Sequence, residues 1–97
     1  MIIRSQDKKL LANFEQLSDM YVRNVCEKFF IIADMSGDYT MAELGEYSTE
    51  EKAIKVLDMI QNAYVGGSMM IVSGKNGNTY NPLPIVFQMP QDSEVQL

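Results

Sequence analysis

The sequence predicts an α+β fold in which a small antiparallel β-sheet carries one main amphipathic α-helix on one face. Three observations lead to this prediction. Short β-branched and aromatic segments recur between turn-forming residues, and one long segment has the three- and four-residue apolar spacing of a helix. The order is strands, helix, strands, with connections short enough for antiparallel pairing.

The length and composition predict a single domain. The chain has 97 residues, of which 46% are hydrophobic and 22% charged, as is usual for a globular domain. A chain of this size has one hydrophobic core and little stability to spare. Residues 90–97 are polar and lack periodicity, so we expect a domain over 1–89 followed by a flexible tail.

The N-terminal segments predict a strand and a turn. Residues 1–4 form a short β-branched run, and the polar residues 5–9 interrupt it. Residues 10–14 are either the second strand of a hairpin or the start of a helical turn, because five residues do not distinguish the two periods. The apolar residues between Gln16 and Asn24 have mixed spacing and predict no element.

A second hairpin is predicted around Gly37. Residues 29–33 are aromatic and β-branched, which favours a buried strand. A turn signal follows at 36–38, and residues 39–45 alternate partly, which predicts the returning strand. On that strand Tyr39, Met41 and Glu43 share one face.

The helix is predicted over residues 49–65. Ser48 and Glu51 have the spacing of a capping box, and Tyr47 before them could pack as a hydrophobic staple. Gly66-Gly67 is expected to end the helix, because glycine adopts the left-handed capping conformation without strain. The apolar stripe that defines the helix comprises Ala53, Val56, Leu57, Ile60, Ala63 and Tyr64.

The C-terminal third predicts further strands. Residues 68–73 are typical of a strand, and the glycine-rich segment 74–77 is typical of a hairpin turn. Pro82 and Pro84 interrupt the returning chain, and 85–89 is predicted to be the last strand.

The residue types argue against an enzyme and against a cofactor. The chain has no histidine, and Cys26 is its single cysteine, so the common general base and thiolate metal clusters are missing. We expect Cys26 to be a small buried apolar residue. Asp34 and Asp38 flank the Gly37 turn and are an alternative, a magnesium-dependent carboxylate site, although solvation of the turn explains them as well.

The charge and the cysteine content indicate where the protein acts. The formal net charge is −5, which disfavours direct nucleic-acid binding. Acidity could instead imitate nucleic acid in a basic groove of another protein, or only keep the chain soluble. One cysteine suits the reducing cytoplasm, and no apolar stretch has the length of a membrane span.

Three segments carry a resemblance to a known group of proteins. They are residues 1–7, 44–53 and 86–92, with the sequences MIIRSQD, LGEYSTEEKA and VFQMPQD. The chain resembles small proteins encoded by phages, prophages and other mobile elements of Gram-positive bacteria. The resemblance implies no catalytic residues. It implies a bacterial cytoplasmic setting in which small acidic proteins antagonise host defence, by blocking a host protein or by sequestering a nucleotide signal.

The resemblance also selects candidate binding residues for a host protein or nucleotide signal. A rival explanation is that these side chains are ordinary surface groups and a helix staple. A second function remains open, because the strand edges at 1–4 and 85–89 could pair between copies in a self-associating structural or assembly module. The candidate binding residues, which all lie in the shared segments, are Arg4, Gln6, Tyr47, Gln88 and Gln91.

Overall fold

The computed structural model of the protein describes residues 1–35, 40–68 and 86–97, and of residues 65–68 the backbone only. The described elements are two three-stranded sheets and one helix, so the α+β prediction is confirmed. The predicted turns at 36–38 and 74–77 and the interruption at Pro82 and Pro84 lie outside the described residues, as do Asp38 and Tyr39. Of the strand predicted at 68–73, only Ser68 is described, and it is helical.

The short sheet is built from the two ends of the chain. Its strands are β1 (Ile2–Arg4), β2 (Leu11–Asn13) and β6 (Val86–Gln88), in the order β2-β1-β6. β1 and β2 form an antiparallel hairpin, which was one of the two alternatives for residues 10–14. Phe14 belongs to the 3₁₀ turn Phe14–Gln16 that follows, so the helical alternative is also partly right. β6 runs parallel to β1, which makes this sheet mixed.

The long sheet has the order β3-β4-β5 and is antiparallel throughout. Its strands are β3 (Leu17–Val25), β4 (Lys28–Met35) and β5 (Met41–Tyr47). The pairing of β4 with β5 confirms the predicted second hairpin. β3 was missed by the sequence analysis, because it is an edge strand with apolar residues on both faces, which blurs the two-residue alternation.

The turn between β3 and β4 corrects the prediction for Cys26. Val25 pairs with Lys28, so Cys26 and Glu27 form a two-residue loop with φ of 51° and 63°. Two positive φ angles are the geometry of a type I′ hairpin turn, which usually requires Asn or Gly. The turn projects from the sheet, and Cys26 is therefore exposed instead of buried.

The helix α1 (Glu50–Ser68) starts one residue later and ends later than predicted. Thr49 caps it, because its hydroxyl oxygen accepts the Lys52 backbone N–H at 3.1 Å, so the predicted Ser48–Glu51 capping box is wrong. Gly66-Gly67 lies within the helix and does not end it. Glycine lowers helix propensity by about 1 kcal/mol per residue without preventing helical dihedral angles.

One core joins the helix, both sheets and the C-terminal segment. Val95 is only 5% exposed, and residues Asp92–Glu94 form a 3₁₀ turn. Residues 90–97, expected to be a flexible tail, are thus packed against the domain through Val95. α1 contacts all three strands of the long sheet. The buried residues of the core are Ile3, Ala12, Ile31, Ala33, Leu44, Tyr47, Ala53, Val56, Ile60, Met89 and Val95.

Candidate functional site

The structure brings the five candidate residues to one region, where the two sheets meet. Arg4 is the last residue of β1, Gln6 lies in the turn that follows it, and Tyr47 is the last residue of β5. Gln88 ends β6, and Gln91 follows it. Each side chain donates a hydrogen bond to a backbone carbonyl in this region. The segments 1–7, 44–53 and 86–92 are therefore neighbours in space.

Gln6 joins the short sheet to the edge of β5. Its backbone N–H donates to the Leu44 carbonyl at 2.7 Å. Its side-chain oxygen accepts the Glu46 N–H at 2.9 Å, and its Nε2 donates to the Glu46 carbonyl at 3.0 Å. The carboxamide thus pairs with Glu46 as a strand residue would. Nε2 also donates to the Pro90 carbonyl at 3.1 Å, which fixes the C-terminal segment to the same place.

Tyr47 is a core residue and not an exposed aromatic ring. It is 1% exposed, and its hydroxyl donates to the Pro90 carbonyl at 2.8 Å. Burial raises the pKa of this hydroxyl, and the negative charges of Asp92 and Glu94 raise it further, so the group stays protonated. Its ring lies over Gly45, where a Cβ atom would come within 3.0 Å of the ring and hydroxyl.

Gln88 and Gln91 complete the set of internal hydrogen bonds. Gln88 Nε2 donates to the Ser5 and Met89 carbonyls, each at 3.0 Å. Gln91 Nε2 donates to the Gln6 carbonyl at 2.8 Å. We call the side chains of Gln6, Tyr47, Gln88 and Gln91 the clasp. Their donors are used within the chain, so the clasp holds the segments together.

Arg4 lies at one end of the clasp, beside the turn after β1. Its Nε and Nη2 donate to the Lys8 carbonyl at 3.3 and 3.2 Å. Lys8 has a φ of 67°, and the buried Ser5 hydroxyl both donates to Asp7 at 2.6 Å and accepts the Leu10 N–H at 3.0 Å. The hydrogen bond from Ser5, then that from the Lys9 backbone N–H, lowers the pKa of Asp7.

Asp92 links the C-terminal segment to the start of α1. One of its carboxylate oxygens accepts the Ser48 N–H at 2.8 Å and the Ser48 hydroxyl at 3.0 Å. The Lys52 ammonium lies 3.4 Å from its other oxygen. The Ser48 backbone hydrogen bond, followed by the Ser48 hydroxyl and Lys52, lowers the pKa of Asp92. Asp92 therefore holds the segment as a charged carboxylate.

An acidic groove lies beside the clasp, between the turn after β1 and strands β4 and β5. Its volume is about 120 Å³, which is well below the usual ~300–1,000 Å³ of small-molecule sites. Three carboxylates line it, and their negative potential opposes phosphate binding. The residues that line this acidic groove are Gln6, Asp7, Phe30, Glu43, Leu44, Gly45 and Glu46.

Only one of the two carboxylates of the alternative magnesium site, Asp34, lies in the described part of the chain. Asp34 accepts a hydrogen bond of 3.5 Å from the Tyr21 hydroxyl, and its proposed companion Asp38 lies outside the described residues. Within 1–35, 40–68 and 86–97, no three His, Cys, Asp or Glu side chains are grouped closely enough to hold a metal ion.

The sequence analysis missed the contribution of β3 to the molecular surface. Tyr21 lies in the segment between Gln16 and Asn24, whose apolar spacing is mixed, although it shares one face of the strand with Arg23 and Val25. The sequence signal that could have predicted β3 is a two-residue period with apolar side chains on both faces.

No helix in the described part of the chain is long and apolar enough to cross a membrane. Comparisons of the chain with protein-family models, with curated proteins and with solved structures found no match.

Proposed function

We propose that this protein is a non-enzymatic binding protein of a phage or mobile element, which antagonises a bacterial defence or regulatory system by binding a host protein in the cytoplasm. One observation carries the proposal. Of the seven residues that line the acidic groove, five come from the segments that carry the family resemblance, namely Gln6, Asp7, Leu44, Gly45 and Glu46.

The charges around the acidic groove favour a basic partner. Asp7, Glu43 and Glu46 are exposed, and the pKa of Asp7 is lowered by the Ser5 hydrogen bond, so this carboxylate is charged at neutral pH. Carboxylates that line a shallow groove are suited to arginine and lysine side chains on another protein. The net charge of −5 adds long-range attraction to such a surface.

The same geometry supports a host protein over a nucleotide signal. A nucleotide site would need free cationic or amide donors for its phosphates. The amides of Gln6, Gln88 and Gln91 donate to backbone carbonyls. The exposed Arg4 guanidinium uses Nε and Nη2 on the Lys8 carbonyl and is the one group of the five candidates with cationic donors for a phosphate. The aromatic ring of Tyr47 is buried, which removes a stacking surface. Sequestration of a nucleotide remains the second form of the proposal.

The test is affinity capture of the tagged protein from lysate of a Gram-positive host, with mass spectrometry as the readout. We expect one host protein in stoichiometric amount with the wild type, released by salt because surface charges are screened. Glu46→Lys should abolish capture, whereas Asp58→Lys, the same charge change on an exposed helix position, should not.

Two results would count against the proposed mechanism. Equal capture by the Glu46→Lys and wild-type proteins would remove the acidic groove from the interface. Release of a nucleotide from denatured protein, together with no captured host protein, would replace host-protein binding with sequestration.

The edge expected at residues 1–4 for self-association is closed, because β1 pairs with β2 on one side and with β6 on the other. Self-association as a structural or assembly module has a different structural feature in its favour. β3 has nine residues and, within the described part of the chain, pairs only with β4. A long edge strand offers backbone groups to another chain. Sedimentation over a range of protein concentrations tests this function: a stable oligomer supports it, and a monomer at all concentrations contradicts it.

A further inference from the structure

The long sheet has two faces, and α1 covers one of them. Ile31 and Ala33 of β4 point to the helix and belong to the core. Side chains alternate along a strand, so Phe30 and Ile32 between them point to the opposite face. Ile32 is 3% exposed but is not part of the core cluster. We call this second side of the sheet the outer face.

The outer face has an apolar centre. Tyr21 of β3 lies directly opposite Ile32, and Phe30 is two residues along β4. Tyr21 and Phe30 are half-buried, whereas Val25 is 46% exposed and Met41 is 54% exposed. The Tyr21 hydroxyl lies 3.5 Å from the Met41 sulfur, which places both side chains on this face. Val25 lies at the opposite end of the face from Met41, so the apolar centre consists of Tyr21, Phe30, Ile32 and Met41. Exposed apolar area of this kind on a small protein marks an interaction surface.

Carboxylates border this apolar centre. On β5, Glu43 pairs with Ile32, and Glu46 pairs with Phe30. At one end of the face, Asp19 pairs with Asp34. Arg23 and Lys28 are the basic residues that the alternation of β3 and β4 places on the same face.

The balance of charge identifies the class of occupant. Four carboxylates face two basic side chains on the outer face, and Asp7 adds negative charge where Phe30, Glu43 and Glu46 also line the acidic groove. Two copies of the chain placed face to face would leave an excess of negative charge unbalanced. A partner with basic side chains around an apolar centre would balance both the charge and the apolar area.

We infer that the outer face of the long sheet is a docking surface for a basic protein partner. Tyr21 and Phe30 are its apolar anchors, and Glu43 and Glu46 bind arginine or lysine side chains of the partner. Aromatic side chains are enriched at protein interfaces, where a polar rim surrounds an apolar centre that provides most of the binding energy. The inference rests on the proposed function and extends it, because it names the surface and the chemistry of the partner.

The test uses the purified full chain and a short synthetic peptide in which arginine and leucine alternate. Titration is followed by two-dimensional NMR of the backbone amides. We expect chemical-shift changes confined to β3, β4 and β5, centred on Tyr21, Phe30 and Ile32. A peptide in which glutamate replaces arginine keeps the apolar groups, reverses the charge and should not bind.

Matched variants identify the groups that bind the peptide. Glu43→Lys and Glu46→Lys should each weaken the peptide about tenfold. Phe30→Ser should weaken it by a similar factor, with the spectrum of a folded protein. Asp58→Lys, which makes the same charge change on an exposed helix position, should leave the affinity unchanged.

Three outcomes would overturn the inference: no binding, shifts centred on the helix, or concentration-dependent shifts of the outer face in the peptide-free protein, which would identify a second copy as the occupant. The proposed function is judged separately by affinity capture. Capture of a host protein by a chain that does not bind the peptide would leave the proposed function standing and remove the outer face from it.

Discussion

The clasp and the outer face meet at the acidic groove along strand β5, but their side chains are used in different ways. In the clasp, the donors of Gln6, Tyr47, Gln88 and Gln91 all reach backbone carbonyls of the same chain. On the outer face, Met41 is about half exposed and pairs with Asp34, and the half-buried Phe30 pairs with Glu46. A polar side chain with internal partners stabilises the fold, whereas exposed apolar area next to charge is available to another molecule.

The comparison changes the interpretation of the candidate binding residues. Their residue types suggest a ligand site, but in the structure they join the N-terminal, central and C-terminal segments beside the acidic groove. The variants below are ordered by the size of the expected effect, and each tests the distinction between the two regions.

The largest difference is expected between two aromatic residues that point to opposite sides of the sheet. Tyr47→Ala should lower the free energy of unfolding by about 3–5 kcal/mol, because it leaves a cavity in the core. Phe30→Ala should cost only about 1 kcal/mol, because this ring makes cross-strand contacts on the outer face. Urea denaturation followed by circular dichroism measures both. Similar losses would mean that the outer face is part of the stabilising core.

The Tyr47 ring is expected to limit the size of the side chain that position 45 tolerates. Gly45→Ala places a Cβ atom 3.0 Å from the Tyr47 ring, and overpacking of this kind costs about 1–3 kcal/mol of unfolding free energy. The same change in a Tyr47→Leu background should cost much less, since the ring is gone. The double-mutant cycle isolates the coupling between the two positions. Additive losses would show that the cost of alanine at 45 has another origin.

Gln6→Glu is expected to open the clasp without changing the size of the side chain. The Nε2 donor becomes a carboxylate oxygen that faces the carbonyl oxygens of Glu46 and Pro90. Two hydrogen bonds are lost, because an oxygen without a proton cannot donate to a carbonyl. We expect a loss of about 1–2 kcal/mol in urea denaturation. Gln16→Glu, the same change at an exposed position in the 3₁₀ turn, should stay within about 0.5 kcal/mol of the wild type.

Asp92 is expected to give the smallest effect and a distinct dependence on pH. The hydrogen bonds from Ser48 and the charge of Lys52 lower its pKa in the folded state. The stabilisation is therefore complete above the unfolded pKa of about 3.9 and is lost as the pH falls through the lower folded value.

Urea denaturation of the wild type and of Asp92→Asn at several pH values measures this dependence. The wild type should be the more stable protein at pH 7, and the difference should shrink as the pH falls below about 4. Asp58→Asn, on the exposed side of the helix, controls for the loss of one negative charge. A difference that is the same at every pH would assign the effect of Asp92→Asn to a cause other than its charge.

Sequence reasoning was most accurate where local patterns decide the structure. The apolar stripe placed the helix within a few residues, and the β-branched runs identified β1, β4 and β6. It was wrong where neighbouring segments compete. Ser48 has the right spacing for a capping box, but its hydroxyl binds Asp92, a residue distant in sequence, and Thr49 caps the helix instead.

The candidate residues show the same division. The resemblance selected five residues that do meet in space, but their roles could not be deduced from the sequence. Gln6 pairs with Glu46, which is 40 residues away, and Gln91 pairs with the backbone of Gln6, which is 85 residues away. Contacts between residues this far apart in sequence decide whether an amide side chain is hydrogen-bonded to water or to a backbone carbonyl.

The sequence by itself determined the fold class, the helix and the absence of histidine, because composition and short-range periodicity carry that information. Only the tertiary structure decided that the C-terminal segment packs on the core, that Cys26 is exposed in a tight turn, and that β3 leaves an apolar outer face. The reason is that side-chain burial results from pairing between distant segments. The parallel pairing of β6 with β1 brings the two ends of the chain together, and Val95 reaches the core next to them.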